Sequence, residues 1–136
     1  MKMIEDIRTR YHAIAEQLSA PPQYVKFTQT PQHDGSPHVE YEGNELLYVV
    51  TERGTRFEER RTTDPDELLF WLISGLTWQM ASEFELTHRI ESEDCRRQLF
   101  AKHLELLAAV QSEWASRKKR EYDKILVEHP FNDDKG

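Results

Sequence analysis

Between residues 68 and 84, apolar side chains point in almost every direction around a helix axis. Leu68, Leu69, Phe70, Trp71, Leu72, Ile73, Leu76, Trp78, Met80 and Phe84 form no single stripe. A helix apolar on most sides has to be covered on most sides. The longest unbroken apolar run, residues 68–73, has six members, against the ~18 a bilayer span requires. The cover is therefore expected to be protein, not lipid. Asp64-Pro65-Asp66-Glu67 announces the start, with a capping aspartate, proline at the first helical position and acids in the first turn. The helix is expected to run to about Arg89.

The flanking segments can supply the cover. Ile4, Ile7, Tyr11, Ile14 and Leu18 form one stripe, which predicts a helix over residues 2–19, ended by Ser19-Ala-Pro-Pro22. Residues 24–28 suit a short strand, with Val25 and Phe27 on one face. Residues 29–37, with two prolines and a glycine, read as a loop. Residues 38–62 read as an antiparallel meander with turns at Gly43-Asn44 and Arg53-Gly54. Pairing Glu42 with Glu45 and Glu52 with Thr55 puts Val39, Tyr41, Leu46, Tyr48, Val50 and Phe57 on one face. The other face, with Glu40, Glu42, Glu45 and Glu58, is expected to be largely wet. Ser92 and Ser112 are the expected caps of two further helices; His129-Pro130 ends the second. The fold class is α+β: an N-terminal helix, a meander of three to four strands, then three helices packed on one sheet face. One domain is expected over 1–136, with a loose polar tail from about 132.

Charge is unevenly placed. The chain has 18 basic and 25 acidic residues, net −7. Residues 64–94 hold eight acids and one base, Arg89, so that segment alone carries −7. Phosphate binding needs an excess of lysine and arginine, so nucleic acid is not an expected partner. Cys95 is the sole cysteine, which excludes an internal disulfide and fits a reducing, cytoplasmic compartment. The first residues show no apolar signal core.

No residue pattern announces catalysis. Glu85-Leu-Thr-His88 puts a carboxylate and an imidazole on one helix face, but a di-metal site needs a second such motif and two more carboxylates. No metal is expected. Phosphate-cradling glycine loops are missing, so no cofactor is expected. His103 sits on the stripe Leu99, His103, Leu106, Val110 and reads as a satisfied core histidine. Arg96-Arg97 open a helix, where the dipole disfavours cations. Nearby acids are expected to hold them, with a partner-facing role as the sharper alternative.

The second half resembles a known family. The residues that carry the likeness are Leu-Leu-Phe-Trp-Leu-Ile at 68–73, Thr-Trp-Gln-Met-Ala-Ser-Glu-Phe-Glu at 77–85, Arg89, Arg96-Arg97-Gln-Leu-Phe100, Leu106-Leu107, Trp114 and His-Pro-Phe-Asn-Asp at 129–133. With the strands ahead of them, they make residues 24–133 similar to immunity protein 63. The resemblance implies a small bacterial cytoplasmic protein, encoded beside a polymorphic toxin, that binds and blocks that toxin without chemistry of its own. It carries over no toxin-contact residues.

For a toxin with a basic groove, the acids straddling the second and third helices are the candidate contacts: Glu83, Glu85, Glu91, Glu93 and Asp94. Five acids opposed locally by Arg89 are expected to project into solvent together and speed association. Two rival readings stay open. One is a small metal-dependent or hydrolytic enzyme using Glu85 and His88, which a metal assay separates. The other is an adaptor or regulatory protein without a toxin partner, which the neighbouring gene separates.

Overall fold

The computed structural model describes residues 2–133. They fall into two compact units that divide between Ile73 and Ser74. The element order is helix α1 (Lys2–Gln17), strands β1 (Asp34–Glu42), β2 (Glu45–Glu52) and β3 (Thr55–Thr62), then helices α2 (Pro65–Thr87), α3 (Cys95–Val110) and α4 (Ser112–Glu128). This is the expected α+β order.

In the first unit α1 buries Ile4, Ile7, Tyr11 and Ala15. It stops before the prolines. Ser19 takes φ 53°, and Ala20 N–H donates to the Ala15 carbonyl, the left-handed helix end that caps orphan carbonyls. The strand expected at 24–28 does not form. Pro22–Tyr24 is a 3-10 turn, and a single backbone bond, Val39 N–H to the Thr28 carbonyl, ties this segment to β1. Two prolines opening the segment favour the turn over a ladder. Phe27 is nonetheless buried, against Tyr11 and under the Arg8 guanidinium. β1 begins at Asp34, inside the expected loop.

The sheet order is β1-β2-β3. The first hairpin has the expected register, with Tyr41 opposite Leu46 and Val39 opposite Tyr48. The second closes as expected at Glu52 and Thr55, then slips. Thr51 pairs with Arg56 but Val50 pairs with Glu58, so Phe57 is the extra residue of a β-bulge. One added residue exchanges the faces of the rest of the strand. Phe57, expected in the core, is 67% exposed. Arg60, expected on the wet face, lies opposite Tyr48 and sits over the rings of Tyr48 and Trp71.

The expected wet face is not wet at its centre. His38, Leu47, Val49 and Thr51 are all buried there, as Leu46 and Tyr48 are on the opposite face. Its rim is charged but self-paired. Glu40 meets Arg56 at 2.8 Å, Arg56 meets Glu59 at 2.7 Å, and Glu59 meets Arg61 at 2.9 Å. A hydrogen bond from His38, then one from Arg56, hold the Glu40 carboxyl below its ordinary range.

α2 starts as expected, Asp66 N–H donating to Asp64 Oδ1 at 2.9 Å. Leu68, Leu69, Phe70, Leu72 and Ile73 are buried, and the Trp71 ring meets Tyr48 edge-on. In the second unit α2 continues without a break through Ser74 and Gly75. α3 buries Phe100, His103 and Leu107, and α4 buries Trp114 and Tyr122. Phe100 and Tyr122 stack at 3.9 Å between centroids. The caps differ from those expected. Asp94, not Ser92, caps α3 through its bond from Arg96 N–H, and Ser112 is the first residue of α4, not its cap.

Candidate functional site

The acids singled out in the sequence surround the connection from α2 to α3. Thr87 closes α2, its hydroxyl donating to the Phe84 carbonyl, and the His88 ring stacks on Phe84 at 4.1 Å. One turn earlier Glu85 is 5% exposed. Both its oxygens accept from Arg89, Nε at 3.0 Å and Nη2 at 2.8 Å, a bidentate pair that holds the carboxyl below its usual range.

Asp94 is taken as well. It accepts from the Arg96 side chain at 2.8 Å, from the backbone N–H of Arg96 and from the N–H of Asn132. These bonds, the Arg96 side chain's first, push its carboxyl well below the ordinary aspartate range. The five acids therefore do not project into solvent together. Glu83 and Glu91 are exposed and Glu93 is half-buried, whereas Glu85 and Asp94 face their own arginines. A buried carboxylate needs such a partner, and a helix start needs such a cap.

Arg96 and Arg97 are held from the far end of the chain. Arg96 donates to the carbonyls of His129 and Pro130, and Arg97 makes a bidentate pair with Asp133 at 2.9 and 3.1 Å. Phe131 lies under the Arg97 guanidinium at 4.3 Å. Asn132 and Asp133, expected in the loose tail, are thus fastened to the start of α3, while residues 134–136 lie outside the described residues. Asp133 was legible as an acid but not as the acceptor for an arginine 36 positions earlier. Replacing Arg96 by alanine should cost about 1.5–3 kcal/mol, since hydrogen bonds to charged groups carry about that much. Thermal unfolding of wild type against Arg96→Ala checks it.

A cleft of about 570 Å³ opens beside this fastening, lined by Arg89, Glu93, Cys95, Arg96, Glu128 and His129 among others. The paired arginines leave its charge to Glu93 and Glu128, neither of which is in an ion pair among the described residues. Glu128 has no local signal in the sequence, because only the packing of α4 brings it to the cleft that Glu93 lines. Leu86 and Ile90, at the same end of α2, are 65% and 44% exposed.

Glu85 and His88 are engaged separately: Glu85 with Arg89, and His88 with the Phe84 ring and carbonyl and with the Thr87 hydroxyl. No group of three or more metal-ligating side chains is assembled among the described residues. No helix there is long and apolar enough to cross a membrane.

A family model described as Immunity protein 63 matches residues 42–124. The chain belongs to the immunity protein 63 family. No curated protein and no solved structure matches it. Membership carries an immunity function in general, a toxin as partner in general, and a family whose members are in general not enzymes. In this immunity protein the matched span takes in β2, β3, α2, α3 and most of α4. It covers less than the resemblance over 24–133, leaving out residues 24–41 and 125–133, the fastened segment among them.

Proposed function

We propose that this chain protects its producing cell from one cognate toxin, which it binds one to one in the cytoplasm and occludes at its active cleft or substrate surface. It performs no chemistry of its own. The observation that carries the reading is the family match across β2, β3 and the three helices that follow. The site supports it in kind: exposed apolar and acidic side chains beside an open cleft, with Glu85 and His88 committed to Arg89 and Phe84. Of the five acids, Glu83, Glu91 and Glu93 remain the candidate contacts.

Co-expression tests it. A toxin domain encoded next to this chain should arrest growth when expressed alone. Growth should return when the chain is expressed with it, and the two should co-elute in equal amounts. Continued arrest with the chain present at equal or higher level would refute the reading.

A further inference from the structure

Resting on that reading, we infer that the toxin docks on the corner built by the last turn of α2, the 88–94 connection and the end of α4, and that what it presents there is a basic surface with apolar side chains at its centre. Leu86 and Ile90 are the apolar centre on this side. Isolated exposed aliphatics are ordinary on a protein surface; these two flank the end of α2, Leu86 in its last turn and Ile90 in the connection, next in sequence to Arg89 of the cleft. Around them the charge is one-sided. Glu83 precedes Leu86 by three residues on the same helix face, and Glu91 follows Ile90. Both are exposed, and no ion pair holds either among the described residues.

Inside the cleft the two arginines are already neutralised. Arg89 is held by Glu85 and Arg96 by Asp94. Arg97, the remaining cation near Glu93, is held by Asp133. Glu93 and Glu128 are left to receive a cation from outside. A lysine or arginine entering the cleft gains a charge-assisted contact to either without displacing a bond the protein makes to itself.

The rim of the sheet and the basic run of α4 do not offer this. The sheet's Glu40 and Glu59 are spent on Arg56 and Arg61. The basic run of α4 is spent too: Lys118 on Glu121, Lys119 on Asp123 and Arg120 on Glu113. The corner therefore has the anatomy of a docking surface, with an apolar centre, an acidic rim and a pocket for one long basic side chain.

The single cysteine supplies the probe. Cys95 lines the cleft and is exposed. The purified chain is mixed with an inactivated form of the toxin domain encoded beside it, and alkylation of Cys95 by iodoacetamide is followed by mass spectrometry. Alkylation should slow about tenfold or more in the complex, as expected when a partner covers a residue for most of the time. Glu93→Lys with Glu128→Lys should slow association about tenfold and flatten its salt dependence. Glu93→Gln with Glu128→Gln should fall between that variant and wild type, and Glu16→Lys on α1 should bind as wild type. Circular dichroism of each variant confirms the fold. A complex that forms with Cys95 alkylated at its free rate, and with the reversal binding as wild type, overturns this surface and leaves the immunity reading standing. No complex at all overturns both.

Discussion

Leu46→Asp should abolish the cooperative fold. Leu46 is fully buried in the central strand, with Tyr41 opposite on one side and Thr62 on the other. Truncating a buried leucine costs about 2–5 kcal/mol, and a buried carboxylate without a partner adds several more. The sum reaches the ~5–15 kcal/mol that holds a typical domain together. Leu46 is a sharper choice than its neighbour Tyr48, where the Arg60 guanidinium over the ring stands ready to pair with an introduced acid. Leu46→Ala should remain folded with a lowered urea midpoint. Phe57→Asp, at the bulge, should stay within about 0.5 kcal/mol of wild type, as exposed substitutions do. Urea unfolding of the three variants decides it. A well-folded Leu46→Asp, or a Phe57→Asp as damaged as Leu46→Asp, would place the core elsewhere.

That contrast marks where periodicity stops informing. The two hairpin turns were readable because Gly43 at φ 65°, and Arg53 with Gly54 at φ 53° and 81°, adopt the positive φ that tight hairpins need. From each turn, alternation fixes every pairing until a residue is inserted. The bulge at Phe57 is such an insertion, and no turn residue or proline announces it. An aromatic among charged residues looks like a core position by alternation, and only the pairing of Val50 with Glu58 removes it. The same limit governs the other face of the sheet. Leu47 and Val49 were visible as apolar residues between charged ones, but burial on both sides of β2 is a property of packing rather than of strand pattern.

The candidate site divides in the same way. Glu85 and Arg89 stand four positions apart, Arg89 just past the end of α2, a local pairing that spacing alone can suggest. The bonds that remove Asp94 from the surface come partly from Asn132, and those that hold Arg97 come from Asp133. Such long-range partners have no signature in the intervening chain. Net charge was therefore a poor guide to exposed charge. Residues 64–94 carry −7 by count, yet Asp66, Glu85 and Asp94 are each paired with an arginine, and the cleft gains Glu128 from outside that segment.

Acidification below neutrality should weaken the fold through His103. The ring is 1% exposed. Its Nε2–H faces the Ser74 carbonyl at 3.1 Å and the Thr77 hydroxyl at 2.9 Å, and its Nδ1 accepts from the Tyr122 hydroxyl. Those bonds use the neutral imidazole. Burial, reinforced by the positive charge of Lys118, lowers its pKa from 6.5 to about 4, while burial raises that of Tyr122, which stays a donor. Between the two histidine values the unfolded chain binds a proton that the folded one refuses. Stability therefore rises with pH in that window, is fully present above about 6.5 and falls away as pH drops toward 4. The difference amounts to about 3 kcal/mol by the free energy of a proton. The paired carboxylates, Glu85, Asp94 and Asp133 among them, titrate at lower pH even in the unfolded chain, so the upper part of this window is free of them. His103→Gln keeps a donor and an acceptor but no titration. Its urea midpoint should be nearly flat from pH 6.5 to 5, where that of wild type declines. Parallel curves for the two proteins would mean that the buried imidazole is not what the acid attacks.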